Sequence, residues 1–412
     1  MNDLEELSRA AVAGVDDPPS LAWLRHRATQ RRRRRWAIAA AALVVLVPAA
    51  FAVQSSDTER NQVTTADDPD GANDVLTEPT TTTITSTNGN QSDDPAVGAT
   101  VEPLPGAPEI DESNGAPAIV WTGEEFVIWG GGESLAVAYR PEDEETRPIA
   151  TAPISSRRDP AGVFTGDAVY FVGGVGADGA RSDGAAYFPG IDEWDPIPEP
   201  PIPGGAPLAE AWTGAEVLVF GQIDRNGTDE DLVRGAAYNP ATLSWRRIAD
   251  APVAINFGNG VWTGSELVVI GSHLDDNNAS SMETTVMAYD PAADSWRLLP
   301  PPGLSPQAMW LESDGDGGLY AWDYLLDAVT LSSSTGQWDA LPSIPLDARE
   351  CYSRGASSPA QILMTYCADG AVLDRSTLTW STLAIPNTQI PPIPTDAGIV
   401  FFSPGGASIL EE

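Results

Sequence analysis

The sequence predicts an all-β fold: a seven-bladed β-propeller of four-stranded blades, closed by an N-terminal strand and preceded by a single transmembrane helix. Three observations carry this expectation. AYFPGIDEW (186–194), AYNPATLSW (237–245) and AYDPAADSW (288–296) are near copies, each with a tyrosine seven positions before a tryptophan. Their spacing of about 50 residues is that of a repeat array. Between the copies lie short β-forming runs separated by turn residues, as in EEFVIWGG from Glu124 and DAVYFVGG from Asp167. Far upstream, WAIAAAALVVLVPAAFAV (36–53) is apolar throughout and uncharged.

Residues 1–35 read as a cytoplasmic basic tail. A weak helical face through Leu4, Leu7 and Ala11 is broken at Asp16-Asp17-Pro18-Pro19. The tail ends in Arg31 to Arg35. Residues 36–53 read as the transmembrane helix, because 18 residues at about 1.5 Å rise are near the minimum for a bilayer. The arginines before it keep the N-terminus inside and send the rest outside, at the cell membrane. A cleaved leader is the rival, since Pro48 and Ala50-Phe51-Ala52 have the form of a cleavage site. The 35-residue stretch before the run is far longer than a leader's basic segment, which favours a retained anchor. Residues 54–99 are a Ser/Thr/Asp-rich linker that cannot bury enough apolar surface to fold.

Charge bounds the partners. The chain has 59 acidic residues against 22 basic ones, all of them Arg, and eight of those Arg precede residue 54. A nucleic-acid partner is therefore excluded for the exported part, which has no basic footprint. Cys351 and Cys367 are an even pair in an exported domain and are expected as a disulfide, with two buried thiols as the alternative.

From residue 100 to 412 the repeat organises the chain. First strands end in VWTG, VFTG, AWTG and VWTG, and third strands hold Tyr139, Tyr187, Tyr238 and Tyr289. Second strands begin near residues 125, 168, 216, 266, 318, 361 and 398. Fourth strands begin near 101, 147, 194, 245, 296, 338 and 380, so both series predict seven blades. The last copy lacks a fourth strand, while VEPLPGAPEI (101–110) has the fourth-strand pattern. That segment is expected to complete the last sheet and leave only short, protected edges.

The hydrophobic run ending in Gly130-Gly131 or Gly173-Gly174, then a tyrosine, then a tryptophan seven positions on, resembles the kelch repeat. The resemblance covers residues 100–412. Gly221-Gln222 and Gly271-Ser272 depart from the doublet, and the last three copies lose the tyrosine. It implies a disc whose first strands line a central channel. Small residues at Ala118, Ala161, Gly162, Ala209, Gly260 and Ala308 suit that crowded axis. Each Tyr and Trp is then a packing residue between sheets, apolar in body and polar at the tip.

No catalytic constellation is apparent, so the protein is not expected to be an enzyme, and no cofactor or metal is implied. A kelch-type copper oxidase would need two histidines, and the exported part has His273 alone. DGDGG (314–318) shares oxygen donors and glycines with a calcium loop but lacks the downstream Glu, and is expected as a tight turn. Three long second-to-third-strand loops, 175–183, 222–234 and 272–285, share one face with the fourth-to-first loops. Loops grouped on a rigid scaffold commonly bind. The candidate binding residues there are Arg157, Arg158, Asp224, Arg225, Arg234, His273, Asp275 and Asp276; the alternative is a solvated rim. The expected function is a membrane-anchored extracytoplasmic module recognising a protein or glycan. Two alternatives stand beside it: a transmembrane regulator whose Arg-rich tail contacts a cytoplasmic signalling partner, and a carbohydrate-active propeller enzyme. The oligomeric state is not legible in the sequence.

Overall fold

The computed structural model describes residues 101–411 apart from 114, 132–134, 222–233, 276–277, 308, 316, 333, 348–352, 359, 367 and 389. The expected tail, membrane helix and linker lie outside the described residues, as do Ala308, Cys351 and Cys367 with their proposed bridge. Among the described residues no helix is long and apolar enough to cross a membrane.

The described residues form an all-β, seven-bladed propeller of four-stranded antiparallel sheets. The chain begins with β1 (Val101–Leu104). Blade 1 follows as β2 (Pro117–Trp121), β3 (Phe126–Gly130), β4 (Leu135–Arg140) and β5 (Glu145–Pro148). Blade 2 is β6 (Ala161–Phe164), β7 (Val169–Val172), β10 (Gly184–Phe188) and β11 (Glu193–Ile197), with a small hairpin of β8 (Val175–Gly176) and β9 (Gly179–Ala180) between its second and third strands. Blade 3 is β12 (Ala209–Trp212), β13 (Val217–Phe220), β14 (Gly235–Asn239) and β15 (Ser244–Arg247). Blade 4 is β16 (Asn256–Trp262), β17 (Leu267–Asp275), β18 (Asn278–Asp290) and β19 (Ser295–Leu298). Blade 5 is β20 (Trp310–Ser313), β21 (Leu319–Trp322), β22 (Ala328–Leu331) and β23 (Trp338–Ala340). Blade 6 is β24 (Ser353–Ser357), β25 (Gln361–Tyr366), β26 (Asp369–Asp374) and β27 (Thr379–Ala384). Blade 7 is β28 (Ile393–Thr395), β29 (Gly398–Ser403) and β30 (Gly406–Glu411), and β1 lies beside β30 with Val101 opposite Leu410.

The core is divided among the seams between blades. Val268, Ile270 and Val286 of blade 4 meet Leu311, Leu319 and Ala321 of blade 5, and each seam around the ring has a cluster of this kind. Second strands are covered on both faces, so VYFV of β7 and VLVF of β13 are buried at every position. That double covering is why they read as continuous apolar runs instead of alternating ones. The first strands touch one another in sequence around the axis, and β28 touches both β24 and β2. The approach is close: a Cβ on Gly162 would stand 2.6 Å from Val120 Cγ2, and one on Gly260 would stand 2.4 Å from Ala209 Cβ.

The Tyr-to-Trp repeat is a seam device. Tyr187 is paired across the ladder with Trp194, Tyr238 with Trp245 and Tyr289 with Trp296, and their ring centroids are 4.9, 5.1 and 5.2 Å apart. Each indole N–H then donates to the preceding blade's outgoing chain. Trp194 Nε1 reaches Ala150 O at 2.7 Å, Trp245 reaches Pro198 O at 2.6 Å and Trp296 reaches Ala249 O at 2.8 Å. Trp338 and Trp380 repeat the bond to Pro300 O and Pro342 O. The phenols of Tyr187 and Tyr289 donate to Asp192 and Asp294, whose carboxylates also accept the N–H of Ala150 and Ala249. Burial pushes Tyr289 up to about 12, and hydrogen bonding by that phenol holds Asp294 below the usual carboxylate range.

The turn before each fourth strand is also one device. Two residues ahead of the Trp position, Asp192, Leu243, Asp294, Gly336 and Leu378 all adopt positive φ, between 48° and 65°. Left-handed backbone costs an L-residue roughly 1–2 kcal/mol, and glycine escapes it. Leu378 is also an exposed apolar side chain. Replacing Leu378 by Gly is expected to raise stability by about 0.5–1 kcal/mol after glycine's entropic cost. Urea unfolding reads this directly, and a loss of stability would contradict it.

Candidate functional site

In an antiparallel blade the second-to-third and fourth-to-first connections emerge on one face, and the structure brings them together there. Gly130, Gly131, Gly173 and Gly174 all have positive φ and turn the chain out of the sheet. In blade 2 the excursion folds into the β8–β9 hairpin. Arg158 and Val175 exchange both backbone hydrogen bonds, at 3.0 and 2.9 Å. Gly174 N–H donates to Gly205 O at 2.7 Å, which ties in the loop leading to blade 3.

Arg157 holds this junction from inside. Its side chain is 0% exposed, and it clamps Asp183 in bidentate fashion at 2.6 and 3.1 Å. Its Nε donates to Ser155 O at 2.8 Å, and the guanidinium lies 5.7 Å from the Trp129 ring centroid. A cation so enclosed is a packing and positioning group with its donors spent on the protein. Hydrogen bonding by Arg157 holds the Asp183 carboxyl below the usual carboxylate range. Arg158 is half-buried, and its side chain covers Gly115, where an added Cβ would approach Arg158 Cβ to 2.6 Å.

The other expected residues are distributed over blades 3 and 4. In blade 3 the carbonyl of Arg234 accepts Gly221 N–H at 3.0 Å. Asp224, Arg225 and Asp276 lie outside the described residues. The expected loop at 272–285 is instead a continuation of blade 4's central ladder. Cross-strand pairs run on through Ser272 and Thr284, His273 and Glu283, and Leu274 and Met282, with a register shift before Asp275 meets Asn278. The reason is local: blade 4 has Gly271-Ser272 where blades 1 and 2 have a glycine doublet. Without the positive-φ pair, nothing turns β17 out of the ladder. On this ribbon His273 Nδ1 lies 2.7 Å from Thr285 Oγ1, and its Nε2 lies 3.8 Å from Glu283.

A second polar set lies on the first strands around the axis. Glu210 of β12 replaces the small residue that Gly162 and Gly260 supply in the flanking blades. Its carboxylate accepts Gly162 N–H, and burial pushes it up to about 7. Glu312 of β20 is 9% exposed and takes Trp310 Nε1–H at 2.7 Å. Burial pushes it too up to about 7, against the lowering effect of its hydrogen bonds from Trp310 and Ser357. Asn259 bridges β16 to β20 by exchanging two bonds with Leu311, both 2.8 Å, and Arg354 lies 5.3 Å from the Trp310 ring. Glu210 and Glu312 are absent from the sequence-derived candidates, although a first strand reading AEAW where its neighbours read AGVF and GNGVW carries the signal.

The DGDGG segment is the turn between β20 and β21. Asp314 Oδ1 accepts Gly318 N–H at 2.8 Å, and Oδ2 is paired with Arg375. Among the described residues no group of three or more His, Cys, Asp or Glu side chains could hold a metal ion. Searches of the sequence against protein-family models and against curated proteins give no match.

Proposed function

We propose that the protein is a binding module of kelch type, anchored by residues 36–53 with its propeller outside the membrane. It recognises a protein or glycan through the face that bears the second-to-third connections of blades 2, 3 and 4. The carrying observation is asymmetry. In those three consecutive blades these connections are long, or run on as a ribbon, whereas β21–β22, β25–β26 and β29–β30 are joined by short turns. Packing has no use for an excursion confined to one sector, whereas a ligand does. The Arg157–Asp183 clamp gives that sector a rigid base. The glycine doublets and the Tyr–Trp seams support the kelch reading, and the β1–β30 ladder supports β1 as the clasp of the ring.

The test uses the full chain against a glycan array and a cell-envelope protein extract, beside a variant whose residues 274–281 are replaced by a two-residue turn. Binding by the parent and a loss of at least tenfold in the shortened form, at unchanged melting temperature, is the expected result. Equal binding by both forms, or none by the parent, overturns the reading.

A further inference from the structure

Blades 7 and 1 meet where the ring closes, and their seam opens into a cavity of about 590 Å³. Three turns surround its mouth: β2–β3, β4–β5 and β28–β29. These connections emerge on the face opposite the one proposed above for binding.

The lining combines two kinds of surface. Part of it is apolar: Val400 and Ile409 are buried, while Leu104, Trp121 and Pro141 are half-buried. The mouth is acidic. Glu124 comes from the first turn, Glu142 and Asp143 from the second and Asp396 from the third, and all four are exposed. Arg140 is the one basic residue of the lining, and it is engaged by Asp143 at 3.4 Å and by Glu125 at 3.5 Å. Among the described residues no cation pairs with Glu124, Glu142 or Asp396. Four carboxylates against one guanidinium leave a formal excess of three negative charges over an apolar wall. Carboxylates brought from separate turns do not converge on a point. Among the described residues no group of three or more acidic side chains could hold a metal ion.

We propose that this cavity is a second binding site, and that its ligand is a small organic cation with an apolar body, of the alkyl- or arylammonium class. Charge complementarity selects the head. A compact metal ion needs converging oxygens, whereas a bulky ammonium carries its charge on a broad surface that separated carboxylates can face. The apolar wall selects the body, and the Trp121 indole within it attracts an ammonium through the ring as well. An anionic ligand is repelled by the mouth, and a neutral one gains nothing from it. The volume lies within the range of small-molecule sites. This inference is independent of the ligand face argued above.

The experiment titrates the full chain, in a nonionic detergent, with benzyltrimethylammonium and choline, following heat. Benzyl alcohol and 3,3-dimethylbutan-1-ol are their neutral counterparts, and Mg²⁺ is the compact cation. Saturable binding of at least one ammonium is expected, at least tenfold tighter than its neutral counterpart and weaker at high salt. The triple variant Glu124→Gln, Glu142→Gln, Asp396→Asn changes exposed residues only and is expected to weaken binding at least tenfold. A second triple variant, Glu193→Gln, Asp339→Asn, Asp347→Asn, removes the same charge from exposed positions elsewhere and is expected to bind as the parent does. Trp121→Leu keeps an apolar side chain without the ring and is expected to weaken binding at least threefold. The variant shortened at 274–281 is expected to bind the ammonium unchanged, which separates this site from the ligand face. No saturable ammonium binding, equal affinity for a neutral counterpart, displacement by equimolar Mg²⁺, or equal weakening by the two triple variants overturns the proposal.

Discussion

Replacing Arg157 by Met lowers the unfolding free energy by about 3 kcal/mol at neutral pH, toward the lower end of the cost of breaking a buried ion pair. The guanidinium is fully enclosed and spends its donors on Asp183, Ser155 O and Gly173 O. Methionine keeps the contact with Trp129 but abandons Asp183. That carboxylate is 37% exposed and regains some water, which sets the lower end. The effect depends on pH with a definite sign. Asp183 has a lowered carboxyl pKa in the fold, so its contribution is present above the unfolded value, about 3.9. It is lost as pH falls through the folded value. The difference between parent and variant in urea unfolding therefore shrinks from pH 7 to pH 3. A constant difference across that interval would locate the role of Arg157 in shape alone, against this account.

Replacing Glu312 by Gln is expected to stabilise the protein at pH 8 and not at pH 4. The carboxyl sits on the innermost strand of blade 5, where burial lifts it from 4.5 to about 7. Below the unfolded value both states hold the proton, and folding carries no ionisation penalty. Between about 4.5 and 7 the unfolded chain ionises while the folded one does not, so stability falls as pH rises. Above 7 the penalty is constant, and a shift of this size corresponds to about 3 kcal/mol. Glutamine is isosteric and neutral at every pH, and its amide oxygen can still accept from Trp310 Nε1. Denaturant unfolding of parent and variant at pH 4, 6 and 8 gives a gap that opens with pH. A gap of equal size at all three pH values would sink the assignment. Glu210 behaves in the same direction in both proteins and cancels from the comparison.

Most of the architecture was legible because the repeat is written in large residues at fixed offsets. Second strands expected near 125, 168, 216, 266, 318, 361 and 398 begin in the structure at 126, 169, 217, 267, 319, 361 and 398. The apolar runs announce them, since both faces are covered. The candidate site was less legible. Arg157 stands in a polar segment, SSRRDP, that reads as an exposed loop, and nothing local reveals that Asp183, 26 positions on, returns to enclose it. Ser272 to Thr285 reads as a loop because its residues are polar, yet a ladder needs only paired backbone. The missing second glycine was the better signal there. At the seam between blades 7 and 1, Val400 and Phe402 return from the far end of the chain to pack with Phe126 and Tyr139, and nothing local announces that contact.

The sequence alone determined the repeat, the strand order and the seam-packing role of the Tyr and Trp residues, because these follow from period and side-chain size. Tertiary structure decided which charges are spent. Arg157 is consumed by packing, and Glu210 and Glu312 are pressed into the axis. Burial and hydrogen-bond pairing depend on which blade lies alongside, and that neighbour is set by the turn of the ring, not by proximity along the chain.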